Sequence, residues 1–562
     1  PPTPDRSLPD HDTARSYDDP VSSPAPSTPA SIGGGGEPAG VAGPPAPRQA
    51  PGAPRRPPGE GVLTGRPIAV LRDRLVTGPP ADGLSGWGGP LLVATLAGVL
   101  RFWRLGTPDA YVFDETYYAK DAWRLLRYGV EYDAARGAPE FVVHPPLGKW
   151  VIAAGEAVFG NTAFGWRFSV ALLGTLAVLM VARIARRLFH STLLGVVAGL
   201  LLTVDGLAFV HSRTALLDPI LMVFVLGAFG ALLVDRDHAR ARLARAVIVS
   251  GGAGAFGPRL GARPWRLAAG VLLGMACATK WNGLWYLAAF GLMAVWWDVG
   301  ARRTAGARHP YAGALVRDAA PAFLSLVVVA GAVYLASWSG WFASDARHAY
   351  GRDWAAGQGA AWGVPGGEAL ASLWHYHQQA FDFHVGLHEP HPYQSNPWSW
   401  LVLGRPVSYY YEDPTMGQSG CLVQQCSQAV LAVGNPVLWW GSLLVLPVLL
   451  ALWAGRRDWR AGAVLLGVAA GYLPWFGYQG RTIYSFYAVV FVPFLVLGTT
   501  MVLGLLLGGP DASPRRRTWG AAIGGAYVLL AVLIFWWLFP VLSAQVIPYQ
   551  QWRLRMFLPS WV

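Results

Sequence analysis

The stretch at residues 215–234, ALLDPILMVFVLGAFGALLV, carries a single charge, Asp218, and runs directly into Asp235-Arg236-Asp237-His238-Ala239-Arg240, with Arg242 and Arg245 close behind. An apolar helix of this length crosses a hydrocarbon core of about 30 Å. Arginines placed directly after it hold that end on one side of the bilayer. Reading outward, the same alternation recurs. Further spans are expected near 89–105, 164–182, 193–209, 267–278, 284–297, 319–337, 433–454, 461–476, 484–507 and 520–540, about eleven in all. The expected fold class is therefore an all-α polytopic membrane protein.

Composition agrees. Of 562 residues, 53% are hydrophobic and 14% charged, and the mean hydropathy is +0.34. A soluble domain carries nearer a quarter charged residues. The formal charge of +12 comes from arginines clustered between apolar runs, which is a membrane-orientation pattern and implies no nucleic-acid partner. The clusters are Arg183, Arg186 and Arg187; Arg236, Arg240, Arg242 and Arg245; Arg302, Arg303 and Arg308; Arg456, Arg457 and Arg460; and Arg515, Arg516 and Arg517. All five share one face if the N-terminus is cytoplasmic. Residues 106–163, the long loop 339–432 between the seventh and eighth spans, and the C-terminal tail then face outward, and 433–562 forms a four-span C-terminal part. Residues 1–82, rich in Pro, Gly, Ser and Ala, are expected to be a disordered cytoplasmic tail preceding the membrane domain 83–562.

The first outer loop is too apolar to be simply solvated. A helix over 114–127 is expected to stop at Gly129, with Lys120, Arg124 and Arg127 on one face, and a second is expected around 147–159, both lying in the interface. Cys421 and Cys426 sit in a polar outer loop, where a disulfide and two reduced thiols are both open readings. Cys277 falls inside an apolar run.

Polar residues gather at the predicted outer ends. Asp114-Glu115 opens the first interfacial helix. Acids suit a helix start, but a carboxylate pair there can also act as a general base, with burial and the neighbouring acid tuning its pKa. Arg213 and Asp218 meet the membrane interface between two spans, where charge is costly; a salt bridge within the hairpin and contact with a ligand are both consistent. Lysine occurs only at Lys120, Lys149 and Lys280, all at the outer side, and Arg481 lies in a turn of the same side. Cations converging on a carboxylate suit an anionic ligand with a departing phosphate.

Other signals are set aside. Gly252-Ala253-Gly254-Ala255-Phe256-Gly257 imitates a dinucleotide fingerprint in a connector with no room for a βαβ unit. Asp235-Arg236-Asp237 reads as a solvated helix end. Gly148-Lys149 lacks the preceding glycine of a phosphate loop. The outer histidines His375, His377, His384, His388 and His391 are too irregularly spaced for a zinc signature and suit a surface or cleft-lining place. No metal ligand set is expected, with a divalent ion left as an open alternative.

Phe113-Asp114-Glu115, His144-Pro145-Pro146-Leu147-Gly148-Lys149, Ser212-Arg213 with Leu216-Leu217-Asp218, Lys280-Trp281 and the run from His391 to Trp400 together resemble the protein O-mannosyltransferases, glycosyltransferase family 39, in their bacterial, actinobacterial-type branch. The resemblance runs from about residue 89 to the C-terminus. It implies a GT-C membrane enzyme that moves mannose from polyprenyl-phosphate mannose to Ser or Thr of exported proteins at the outer face of the plasma membrane. It makes Asp114 the favoured base with Glu115 beside it, and donor-phosphate contacts are expected from Arg213, Lys280, Lys149 and Arg481. Pocket support is expected from His144, Asp218 and His391. The partners implied are the lipid donor, exported acceptor proteins and, as a candidate, protein-export machinery. Eukaryotic members insert a MIR domain in the long outer loop, for which 339–432 is too short. The rivals are a GT-C enzyme with a lipid or cell-wall glycan acceptor and a lipid-binding transporter, although a transporter centres its polar groups at the bilayer midplane.

Overall fold

The computed structural model describes residues 66–562 other than 77, 79–81, 361 and 510. Helices stand at all eleven expected places. Eight are long and apolar enough to cross a membrane: Ala163–Phe189, Leu217–Val249, Gly283–Thr304, Pro310–Ser337, Pro436–Arg456, Trp459–Tyr478, Ser485–Leu507 and Pro514–Leu542. The remaining three, Leu84–Phe102, Thr192–Thr203 and Pro264–Thr279, are shorter or less apolar. Caps explain several starts: Thr162 Oγ1 accepts from Gly165 N, Ser191 from Leu194 N and Asp205 from Ala208 N.

Leu217–Val249 is the hub. Its apolar half is buried nearly throughout, against Pro264–Thr279, Ala163–Phe189 and Gly283–Thr304. The helix continues well past residue 234, which corrects the reading of Asp235-Arg236-Asp237 as a solvated end. Asp235 is buried and accepts from Arg263, whose Nη1 also donates to Asp298 at 2.6 Å. A buried acid in a helix interior needs such a partner, and periodicity does not reveal one. Val247-Ile248-Val249 is the last turn of this helix, so no strand precedes the glycine stretch.

The arginine clusters meet at one end of the bundle. Arg187 reaches Asp237 at 2.5 Å, and Arg236 lies 3.4 Å above the Trp459 ring. Arg240 donates to the carbonyls of Arg74 and Leu75 at the end of a helix, Arg66–Leu75. That helix corrects the expectation of a disordered tail reaching residue 82. Ile68, Leu71 and Leu75 recur at helical spacing, and Leu71 and Leu75 pack against Leu243, Ala244 and Val247 at this end, with Leu75 buried. The expectation for residues 1–65 lies outside the described residues.

The opposite end carries the two loop helices, Glu115–Tyr128, stopped by left-handed Gly129 at φ 75°, and Leu147–Phe159. Gly148 allows the second to dock: a Cβ there would lie 2.7 Å from Leu217 Cδ2 and 2.8 Å from Thr279 Cγ2. The same end also holds a three-stranded antiparallel sheet, which the all-α expectation omits. Cys426–Ala432 is its middle strand, flanked by Val407–Glu412 and Val546–Pro548, with Val407 opposite Ala432 and Cys426 opposite Pro548. It ties the C-terminal segment to the long loop, and its last partner is too distant in sequence for any local pattern to announce it. Cys421 and Cys426 are disulfide-bonded, with their Cα atoms 5.9 Å apart. Cys277 is free and buried.

Candidate active site

Adjacent acids take opposite parts here. Glu115 is wholly buried. Its carboxylate accepts from Arg167 Nε and Nη2 at 2.8 and 2.7 Å, and from the backbone N–H groups of Val112 and Ala215, both at 2.9 Å. Four charge-assisted or backbone donors leave it no capacity for substrate. The expectation of a catalytic role for Glu115 is corrected: it ties the first outer loop to the turn after His211. Phe113 is thereby held at φ 49°, a strained setting for an aromatic residue, with its ring stacked 4.7 Å from Tyr409. Asp114 occupies the N-cap position without making a cap hydrogen bond, and no ion pair within 4 Å engages it among the described residues. Its carboxylate lines a cavity instead. Burial, opposed by Lys280 and reinforced by Asp218, pushes Asp114 up to about 6.

The four expected phosphate contacts separate just as clearly. Arg213 donates to the carbonyls of Leu100, Arg101, Trp103 and Arg104 at 3.3, 2.7, 2.6 and 3.2 Å. It closes the C-terminal end of Leu84–Phe102, whose last carbonyls lack helical partners, and does not reach the cavity. Lys149 is buried against Glu131 and Asp121 in the loop's own ion network. A buried ammonium is held by such carboxylates, so both residues depart from their expected role. Lys280 does line the cavity, but Asp218 takes its ammonium at 2.9 and 3.0 Å, and it sits 4.4 Å from the Tyr487 ring centre. Asp218 acts on the site through Lys280. Arg481 also lines the cavity, and among the described residues no carboxylate pairs with it.

His144 is in the cavity wall, its ring 5.0 Å from that of His384. His391 is not: it holds the N–H of Tyr393 and packs on Tyr484, because its loop turns away before reaching the wall. The residue that sequence reasoning did not single out is His384. Its Nε2 bonds the Val143 carbonyl at 2.9 Å, which leaves Nδ1 to accept from Arg481 Nη2 at 3.3 Å. Burial pushes His384 down to about 4, so the ring stays neutral and keeps that acceptor. Burial, then Lys280 and His384, also hold His144 well below the ordinary imidazole range. Irregular histidine spacing hid His384, whereas Arg167, a lone charge opening an apolar run, signalled a buried carboxylate partner and went unread.

The cavity measures about 410 Å³. A larger one of about 950 Å³, lined mainly by apolar side chains of Pro264–Thr279, Gly283–Thr304, Pro310–Ser337 and Gly367–Gly386, shares Trp281, Leu284 and Phe381 with it. An unpaired carboxylate, an unneutralised guanidinium and an apolar annex suit the handling of an anionic amphiphile.

Comparison with known proteins agrees. Residues 91–338 match the family model described as dolichyl-phosphate-mannose-protein mannosyltransferase, and residues 369–561 match that of the C-terminal four-span region of protein O-mannosyltransferase. A chain of the S. cerevisiae protein O-mannosyltransferase Pmt1–Pmt2 complex bound to the sugar donor superposes with a TM-score of 0.65. The match covers 89% of this chain and 95% of that one at 16% identity, so the likeness is one of fold. The family models, with the relatives that follow, define a polytopic membrane glycosyltransferase. The polyprenol-phosphate-mannose–protein mannosyltransferase of Mycobacterium tuberculosis is 46% identical over 86% of this chain and 93% of its own length. The Corynebacterium glutamicum protein of the same name is 37% identical over 84% and 92%. The chain belongs to the protein O-mannosyltransferase family.

Proposed function

We propose that this chain transfers mannose from polyprenyl-phosphate mannose to Ser and Thr hydroxyls of exported proteins, in an inverting single displacement at the outer face of the bacterial plasma membrane. One observation carries the reading: an unpartnered Asp114 shares a cavity with Lys280 and Arg481, and that cavity adjoins a larger apolar one. Asp114, ionised above about pH 6, takes the hydroxyl proton as the acceptor oxygen bonds to the anomeric carbon. The bond from that carbon to the phosphate oxygen breaks, and the electron pair leaves with the polyprenyl phosphate. Charge grows on the phosphate, where Arg481, aimed by His384, stabilises it most in the transition state, with Lys280 behind it. These fixed cations supply the charge without calling on a metal. The apolar cavity suits the prenyl chain.

Gathering of the arginine clusters at the end remote from Asp114 supports a cytoplasmic N-terminal side and an outward site. Exported acceptors fit that placement, and the export machinery then becomes a neighbour worth testing by cross-linking. The deciding experiment incubates membranes containing the protein with donor labelled in mannose. Label in protein, released by α-mannosidase, is expected; label confined to lipid or glycan would overturn the acceptor assignment.

A further inference from the structure

Trp281 lies at the boundary of the two cavities, lining both, and follows Lys280 directly in the chain. Its indole face stacks on His377 at 5.7 Å and 23°, and its edge meets His384 at 5.7 Å. A chain of hydrogen bonds holds it. His377 Nδ1 bonds the Leu373 carbonyl one turn back at 2.7 Å, so that nitrogen carries the proton and Nε2 is an acceptor. Tyr334 therefore donates its hydroxyl proton to His377 Nε2, at 2.5 Å. The Tyr334 oxygen is then left to accept from Trp281 Nε1, at 3.0 Å. Each donor meets one acceptor, and the chain has only one direction. It links Pro310–Ser337, Gly367–Gly386 and the turn after Pro264–Thr279, three elements remote in sequence that enclose the larger cavity. Pro310–Ser337 is the least buried of the spans and carries two π-helical stretches, Leu315–Ala319 and Leu324–Val328. It packs closely on Pro264–Thr279, where Gly270 and Gly274 let the backbones approach, so the bond from Tyr334 adds a directional link to Gly367–Gly386 that this packing does not supply.

We infer that Tyr334 and His377 are positioning residues that fix the Trp281 indole at the junction between the donor's phosphate and its first prenyl units, so that Trp281 helps choose which lipid carrier is accepted. The inference rests on the lipid-donor reading above. An indole locked by its own N–H presents a fixed apolar face to the chain leaving the polar cavity; released, it rotates and the face is lost. The contact is made equally in the ground and transition states, so its loss falls on donor KM rather than on kcat.

The test uses the full-length protein in detergent or nanodiscs with polyprenyl-phosphate mannose and an acceptor peptide. Tyr334→Phe, which keeps the ring and removes the oxygen, is expected to raise donor KM about tenfold with acceptor KM unmoved. His377→Phe is expected to do the same, and the double variant to be no worse than either single one, because both interrupt one chain. His377→Gln, which restores an acceptor for Tyr334, should recover part of the loss. Thermal unfolding of each variant separates a positioning effect from a folding one. Donor KM values within twofold of wild type for Tyr334→Phe and His377→Phe in folded protein, losses that multiply, or a fall in kcat alone would overturn the inference. Failure of the wild-type protein to use the donor at all would instead sink the reading it rests on.

Discussion

Replacing Asp114 by Asn separates the chemistry of this site from its stability. The change is nearly isosteric and removes the cavity carboxylate to which the proposed mechanism assigns the acceptor hydroxyl's proton. General-base assistance contributes about a hundredfold to ten-thousandfold, so turnover is expected to fall by that factor. Stability should move the other way. Burial raises the Asp114 carboxyl from the ordinary 3.8 to about 6. The native state therefore binds more protons than the unfolded chain between those values, and stability falls as pH rises through that window. Near neutral pH the ionised carboxylate costs at most about 3 kcal/mol, since tenfold in proton affinity is 1.36 kcal/mol. Asn carries no such cost, so the variant should unfold at a higher temperature than wild type at pH 7, with the gap closing toward pH 4. The assays are label transfer from polyprenyl-phosphate mannose to peptide and thermal unfolding of the detergent-solubilised protein at several pH values. Turnover within tenfold of wild type would remove Asp114 as the base. Lower stability at pH 7 would show that its carboxylate is paired in a way this structure lacks.

Other outcomes follow from the same geometry. The wild-type kcat/KM profile should show an acid limb near pH 6, falling tenfold per unit below it, rather than near the ordinary carboxyl value; His384, at about 4, does not contribute to that limb. Arg481→Ala should lower kcat at least a hundredfold by removing charge from the leaving phosphate, and His384→Phe should lower it less, because the guanidinium remains but is no longer aimed. Glu115→Gln should behave unlike Asp114→Asn: it leaves Arg167 buried with a weakened partner and destabilises the fold by about 3 kcal/mol or more, while the folded fraction keeps its turnover per molecule. Lys280→Met should destabilise the protein because Asp218 is left buried and unpaired, and adding Asp218→Leu should restore the fold without restoring turnover.

The bundle was legible because hydropathy and arginine placement act locally: twenty apolar residues select a span wherever they occur, and Gly129 stops a helix by its own backbone freedom. The loop helices and three residues of the cavity wall, Asp114, Lys280 and Arg481, were reached in this way. What the sequence left undecided was partnership. Asp114 and Glu115 look alike in the chain, yet one faces a cavity and the other is clamped by Arg167, whose guanidinium arrives from a different helix. Arg213 and Lys149 look like ligands for an anion until the carbonyls and carboxylates they satisfy are in view. The linear chain specifies which residues carry charge and at which end of the helix bundle they lie, since both depend on composition within a few turns. Only the packed structure decides which of those charges is already neutralised, because a buried charge must find its partner, and that partner can come from anywhere in the fold.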